Sequence, residues 1–180
     1  MPLIHFTLNV KIILILLHLI GAVTWIGALS FYVFIFRPSL SEESPLERSR
    51  RIFEAGRKLD VIVWSSLAIL LVTGIWNTIS NPISVSLTGH RVRNFAELEL
   101  LGETAFGSAL RFKHGFFLLL ISLMGYRSFN LLPRLGKAVD ERDTMKTSEV
   151  EIRLGYLSIG ILLLGYIILF FASIVLFSLR

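Results

Sequence analysis

Four long apolar runs separated by polar segments dominate the chain: about Val10 to Phe36, Val61 to Ile79, Ala105 to Tyr126, and Leu154 to Leu179. Each is close to or above the ~20 residues a helix needs to cross the hydrocarbon of a bilayer. None alternates with the period of two that marks a barrel strand. The pattern predicts an all-α, integral membrane four-helix bundle, a single domain over 1–180, running up-down-up-down. The first run is too long for the apolar region of a secretion signal. It also contains Lys11 and has no small-x-small cleavage site before the next charged segment, so it is expected to be a retained span.

The polar segments carry their own signals. "SPLERSRRIFEAGRKLD" (44–60) has helix-compatible periodicity, with Ser44 and Pro45 as a start signal. Ser80 to Thr104 opens on the turn formers Ser80, Asn81 and Pro82. It then holds "NFAELELLGE", which reads as a short helix at the membrane interface.

Composition supports the membrane reading: 54% of the 180 residues are hydrophobic and the mean hydropathy is +0.71. Charge then orients the spans. Segments 37–60 and 127–153 hold 12 of the 18 basic residues, among them Arg37, Arg48, Arg51, Lys58, Arg127 and Arg142. A four-helix arrangement puts both segments on one side, and basic loops stay in the cytoplasm. Both termini are therefore expected outside, in a multi-pass protein of the cell (plasma or inner) membrane. The net charge of +5 then calls for anionic lipid rather than nucleic acid as its partner. The absence of cysteine excludes disulfides, iron–sulfur clusters, thiolate metal sites and c-type haem attachment.

Histidine is the chemistry-bearing residue that remains. There are four: His5, His18, His90 and His114. An ionisable group inside a bilayer is costly and points to function. His18 lies 8 residues beyond Val10 and His114 lies 7 beyond Gly107, which is roughly 12 Å and 10 Å of helix. Two spans that enter from the same side would bring these rings to one depth, in the outer half of the membrane. His18, Gly21, Ala22 and Trp25 fall on one helical stripe, where small residues leave room for a flat ring. Such residues also let bare helices pack closely. Arg111 and Lys113 flank His114 near the outer interface and would meet the propionates of a haem.

A bis-His b-type haem accounts for these residues together, because haem iron is commonly held by axial histidines in bundle cores. The bland alternative is a hydrogen-bonded pair that fixes helix register. His5 and His90 are secondary metal-ligand candidates expected at or above the outer surface. Copper is the rival metal. Cu(I) favours soft ligands, yet the methionines are only Met1, Met124 and Met145 and form no ladder. Trp25 is expected in the core, with Trp64 and Trp76 as interface anchors. Thr73 and Asn77, at i and i+4, would hydrogen-bond between helices. Asp60 is expected to face water.

The segment "LHLIGAVTWIGALSFYVFIFRP" resembles the opening of CopD-type membrane proteins, the copper-resistance D domain. "TAFGSALRFK" entering the third run, "GYRSFNLLPRL" leaving it, and Glu149, Glu151 and Gly155 entering the fourth resemble the same family. In the second run "VTGIWN" is the best match. The His-x6-Trp start is also similar to the four-helix, haem-binding protoporphyrinogen oxidases of the HemJ type. The resemblance marks His18, Trp25, Gly107 and Lys113; His114 follows the family's lysine. It implies copper uptake or tolerance on the CopD side, and haem binding with porphyrinogen oxidation on the HemJ side. The residues themselves favour one-electron transfer by a haem-dependent oxidoreductase, with a quinone or another redox partner at the outer face. A copper carrier, a porphyrinogen oxidase and a cofactor-free structural subunit stand as alternatives, and homo-oligomerisation stays open.

Overall fold

The computed structural model describes residues 2–79 and 105–177, and these are almost wholly helical. Helix α1 (Pro2–Phe31) continues through a π-helical turn, Tyr32–Phe36, into the short α2 (Arg37–Ser39). Helix α3 spans Pro45–Ile79 and α4 spans Ala105–Tyr126. A second π turn, Arg127–Leu131, leads to α5 (Leu132–Asp140), and α6 covers Thr144–Phe177. Four of these stretches are long and apolar enough to cross a membrane: Ile12–Ser39, Pro45–Trp76, Arg111–Asp140 and Thr144–Ser173. Their outward faces carry large exposed apolar side chains such as Ile13, Leu19, Val72, Leu118 and Phe170, as lipid-facing helices require. The segment expected to hold an interfacial helix, with His90, lies outside the described residues.

Helix α4 coincides with its apolar run, whereas α3 and α6 begin well before theirs. Segment 44–60 is not a separate element, since α3 begins at Pro45 and runs unbroken into its apolar part. Likewise α6 starts ten residues before Leu154, at Thr144. Among the described residues, turns remain only around 40–44 and 141–143. Asp140 and Arg142 share a cleft with Glu47 and Arg50, so both turns meet at one polar end of the bundle.

The two π turns have a common cause. Each is followed closely by a proline, Pro38 or Pro133. A proline ring inside a helix clashes with the carbonyl four residues earlier. Those carbonyls belong to Phe34 and Phe129, within the two widened turns. Each turn starts with a side chain that enters the core: Tyr32 and Arg127.

The bundle is built from two close pairs, α1 with α3 and α4 with α6, tied at the polar end by α5, which packs on both α3 and α6. Its middle is an apolar layer of buried Leu29, Val63, Leu67, Leu120, Met124 and Ile161. Below that layer lies a buried ionic cluster. Arg127 pairs with Asp60, donates through Nε to Ser158 Oγ at 3.3 Å, and lies 5.4 Å from the centre of the Tyr32 ring. Asp60 is thus not the water-facing residue that its place at the end of an apolar run suggests, and Arg127 belongs to the core rather than to a basic loop. Nearer the surface, buried Glu151 accepts from Ser49 Oγ and pairs with Arg48 at 2.9 Å. Arg37 reaches the Glu151 carbonyl at 3.2 Å by lying across Gly155, where any side chain would collide with its guanidinium.

Helix α5 ends in a Schellman motif. Arg142 N–H donates to Val139 O and Asp143 N–H to Ala138 O, each at 3.1 Å, with Arg142 in the left-handed region at φ 54°. Glycine suits that position, so Arg142→Gly is expected to raise stability by about 0.5–1 kcal/mol, checked by thermal unfolding in detergent. Asp143 then caps α6, its Oδ1 accepting the Lys146 backbone N–H at 3.1 Å. That bond holds the Asp143 carboxyl below its usual range. The cap contributes above the ordinary carboxylate pKa and is lost as pH falls through the lowered one.

Candidate functional site

At the end of the bundle opposite the turns, the two helix pairs leave a pocket between them. His18, Ala22 and Trp25 of α1 line it, with Leu70 and Gly74 of α3, Lys113, His114 and Phe117 of α4, and Ile168 and Ala172 of α6 among the rest. All four long helices thus contribute. The cavity measures about 90 Å³ and its walls are mainly apolar. His18 and Lys113 are half-buried and His114 is exposed at the lip.

Each wall residue is placed by its helix register. His18, Ala22 and Trp25 follow the i, i+4, i+7 stripe of α1. Trp25 is only 2% exposed, because its ring edge inserts against Gly165 of α6, where an added Cβ would come within 2.9 Å of it. Its indole Nε1–H is buried with no hydrogen-bond partner among the described residues. His18 Nδ1 lies 2.8 Å from Thr73 Oγ1, and Thr73 Oγ1 donates to the Ile69 carbonyl at 2.6 Å. Thr73 thus bonds between helices; the side chain of Asn77 lies outside the described residues.

No family model, curated protein or solved structure matches the chain.

Of the residues singled out in the sequence, the pocket brings together His18, Trp25, Lys113 and His114. Two others lie elsewhere. Gly21 faces α3, where an added Cβ would sit 3.4 Å from Ile69, Leu70 and the Ser66 carbonyl, so it serves helix packing; Ala22 and Gly74 supply the small surfaces instead. Arg111 lines a separate groove on the outer face of α4, with Ser108, Phe112 and Phe116. Two residues along a helix turn the side chain by about 200°, which carries Arg111 away from the face of Lys113. The side chain of His5 falls outside the described residues. Among the described residues no group of three or more His, Asp or Glu side chains is arranged to hold a metal.

Two imidazoles, those of His18 and His114, line the pocket and would be the axial donors if it held a haem iron. Small Ala22, Gly74 and Ala172 allow close approach to three helices. Volume sets a condition. A cavity of about 90 Å³ is far smaller than a porphyrin. A ring between the imidazoles therefore requires the two helix pairs to part at this end, where α5 does not tie them. Trp64, expected as an interface anchor, donates through Nε1 to Ser128 Oγ at 3.2 Å.

Proposed function

We propose that this is a multi-pass protein of the cell membrane that binds one b-type haem between His18 and His114 and carries single electrons near the outer face. The observation that carries the reading is the convergence of both imidazoles, with Lys113, on one pocket lined by all four long helices. Its redox partner is a membrane quinone or another carrier on the outer side.

Up-down-up-down topology with both termini outside fits the contacts. His18 lies opposite Thr73 while Gly21 lies opposite Ser66, and Phe116 meets Phe171 while Arg127 meets Ser158. The numbers fall on one helix as they rise on its neighbour. Basic residues at the turn end support that end as the cytoplasmic one.

A haem supplies a reversible one-electron couple, tuned by its axial ligands and by burial. In this chain His18 and His114 would ligate it and Lys113 would offset propionate charge. Trp25, Leu70 and Ile168 would keep water from the buried face. The CopD-like and HemJ-like segments include His18, Trp25 and Lys113 and lend support to a cofactor role for this end of the bundle. Copper is less well served. Buried Met124 lies in the apolar middle of the bundle and does not line the pocket.

Metal analysis of haem-reconstituted protein, with a reduced-minus-oxidised visible spectrum, tests the proposal. One iron per chain with a b-type spectrum is expected. Stoichiometric copper without iron would overturn it in favour of a carrier, and turnover of protoporphyrinogen would replace electron transfer by an oxidase reaction.

A further inference from the structure

Thr73 sits at the contact of α1 with α3, 3% exposed, and its hydroxyl fixes more than helix packing. A threonine hydroxyl has one proton to give. Thr73 Oγ1 lies 2.6 Å from the Ile69 carbonyl, which can only accept, so that proton is committed there. His18 Nδ1 is 2.8 Å from the same Oγ1. With the hydroxyl proton committed, the ring nitrogen must be the donor. A neutral imidazole carries one N–H, and placing it on Nδ1 leaves Nε2 with a bare lone pair.

Backbone shape supports the same orientation. Gly74 has no side chain, and a Cβ there would stand 3.4 Å from His18 Cε1, the carbon between the two ring nitrogens. The ring can therefore lie against α3 with Nδ1 on Thr73. Nε2 is left for the pocket that His18 lines.

We infer that Thr73 is a positioning residue that locks His18 in the Nδ1–H tautomer, so that Nε2 is presented as a ready ligand to a metal. The Ile69 carbonyl acts through Thr73, in the way that hydrogen bonds behind metal-bound histidines fix ring orientation and ligand basicity. The identity of the metal as haem iron rests on the reading above; the tautomer does not.

Two measurements separate these claims. Nitrogen-15 NMR of histidine-labelled, cofactor-free protein in detergent, at a pH where the imidazole is neutral, reports the tautomer directly, with His18 assigned by its loss in His18→Ala. Wild type and Thr73→Ser are expected to show a protonated Nδ1 and a bare Nε2. Thr73→Val should show Nε2–H or a mixture. A bare Nδ1 in wild type, or an unchanged tautomer in Thr73→Val, would overturn the inference. Haem titration supplies the second readout. Thr73→Val should weaken binding by about 10–100-fold, with Thr73→Ser close to wild type. Should haem fail to bind any variant while the tautomer pattern holds, the positioning role stands and the haem assignment falls.

Discussion

Arg127→Met is expected to destabilise the protein by about 3–5 kcal/mol, the cost of leaving a buried ion without its partner. Arg127 is fully buried and the side chain of Asp60 is only 14% exposed, so neither group is screened by water as a surface pair would be. Removing the guanidinium strips Asp60 of its counter-charge, takes a donor from Ser158 Oγ and uncovers the Tyr32 ring. The same side chain joins α3, the π turn before α5, and α6, so the loss falls on the polar end that holds the two helix pairs together. Replacing both partners, as Asp60→Leu with Arg127→Met, should recover most of the loss, because a well-packed apolar pair can match a buried ion pair. Equilibrium unfolding of the wild type and both variants in detergent measures these changes. A loss below ~1 kcal/mol in Arg127→Met would class the pair with exposed bridges and contradict its assignment to the buried core.

The second large effect concerns the opposite end. Anything that binds only the folded state stabilises it, by about 2.7 kcal/mol at a free concentration 100 times Kd. Haem is therefore expected to raise the unfolding temperature of the wild-type protein in a concentration-dependent way. His18→Ala should abolish that rise, while the cofactor-free protein loses only the interhelical hydrogen bond from His18 Nδ1 to Thr73 Oγ1, about 1 kcal/mol. The contrast separates ligand loss from general destabilisation. Persistence of the full haem-induced shift in His18→Ala would show that the pigment sits elsewhere.

These two ends were unequally legible in the sequence. The four long helices declared themselves because twenty-odd apolar residues have few other uses, and the large apolar side chains exposed on those helices are among the ones that made the runs apolar. The stripe of His18, Ala22 and Trp25 was readable because helical periodicity alone puts those residues on one face, and the pocket unites them with Lys113 and His114. Gly21 belongs to the same stripe by periodicity but sits on its edge, where it meets α3; Arg111 was grouped with His114 through sequence proximity, which ignores the 100° turned per residue. The buried pair of Arg127 with Asp60 is not legible in the sequence, because each residue stands where an apolar run gives way to polar sequence. Such positions normally face water, and only the tertiary fold brings the two together. Thr73 was foreseen as an interhelical hydrogen-bonder, but its partner could not be chosen without the register of α1 on α3.

The most direct test of the central claim is the visible spectrum of haem-titrated protein, recorded oxidised and dithionite-reduced, for wild type, His18→Ala and His114→Ala. The account predicts that wild type binds one haem per chain with the sharp reduced bands of six-coordinate, bis-imidazole iron, and that each single variant loses those bands. Retention of the six-coordinate spectrum in both variants would contradict it.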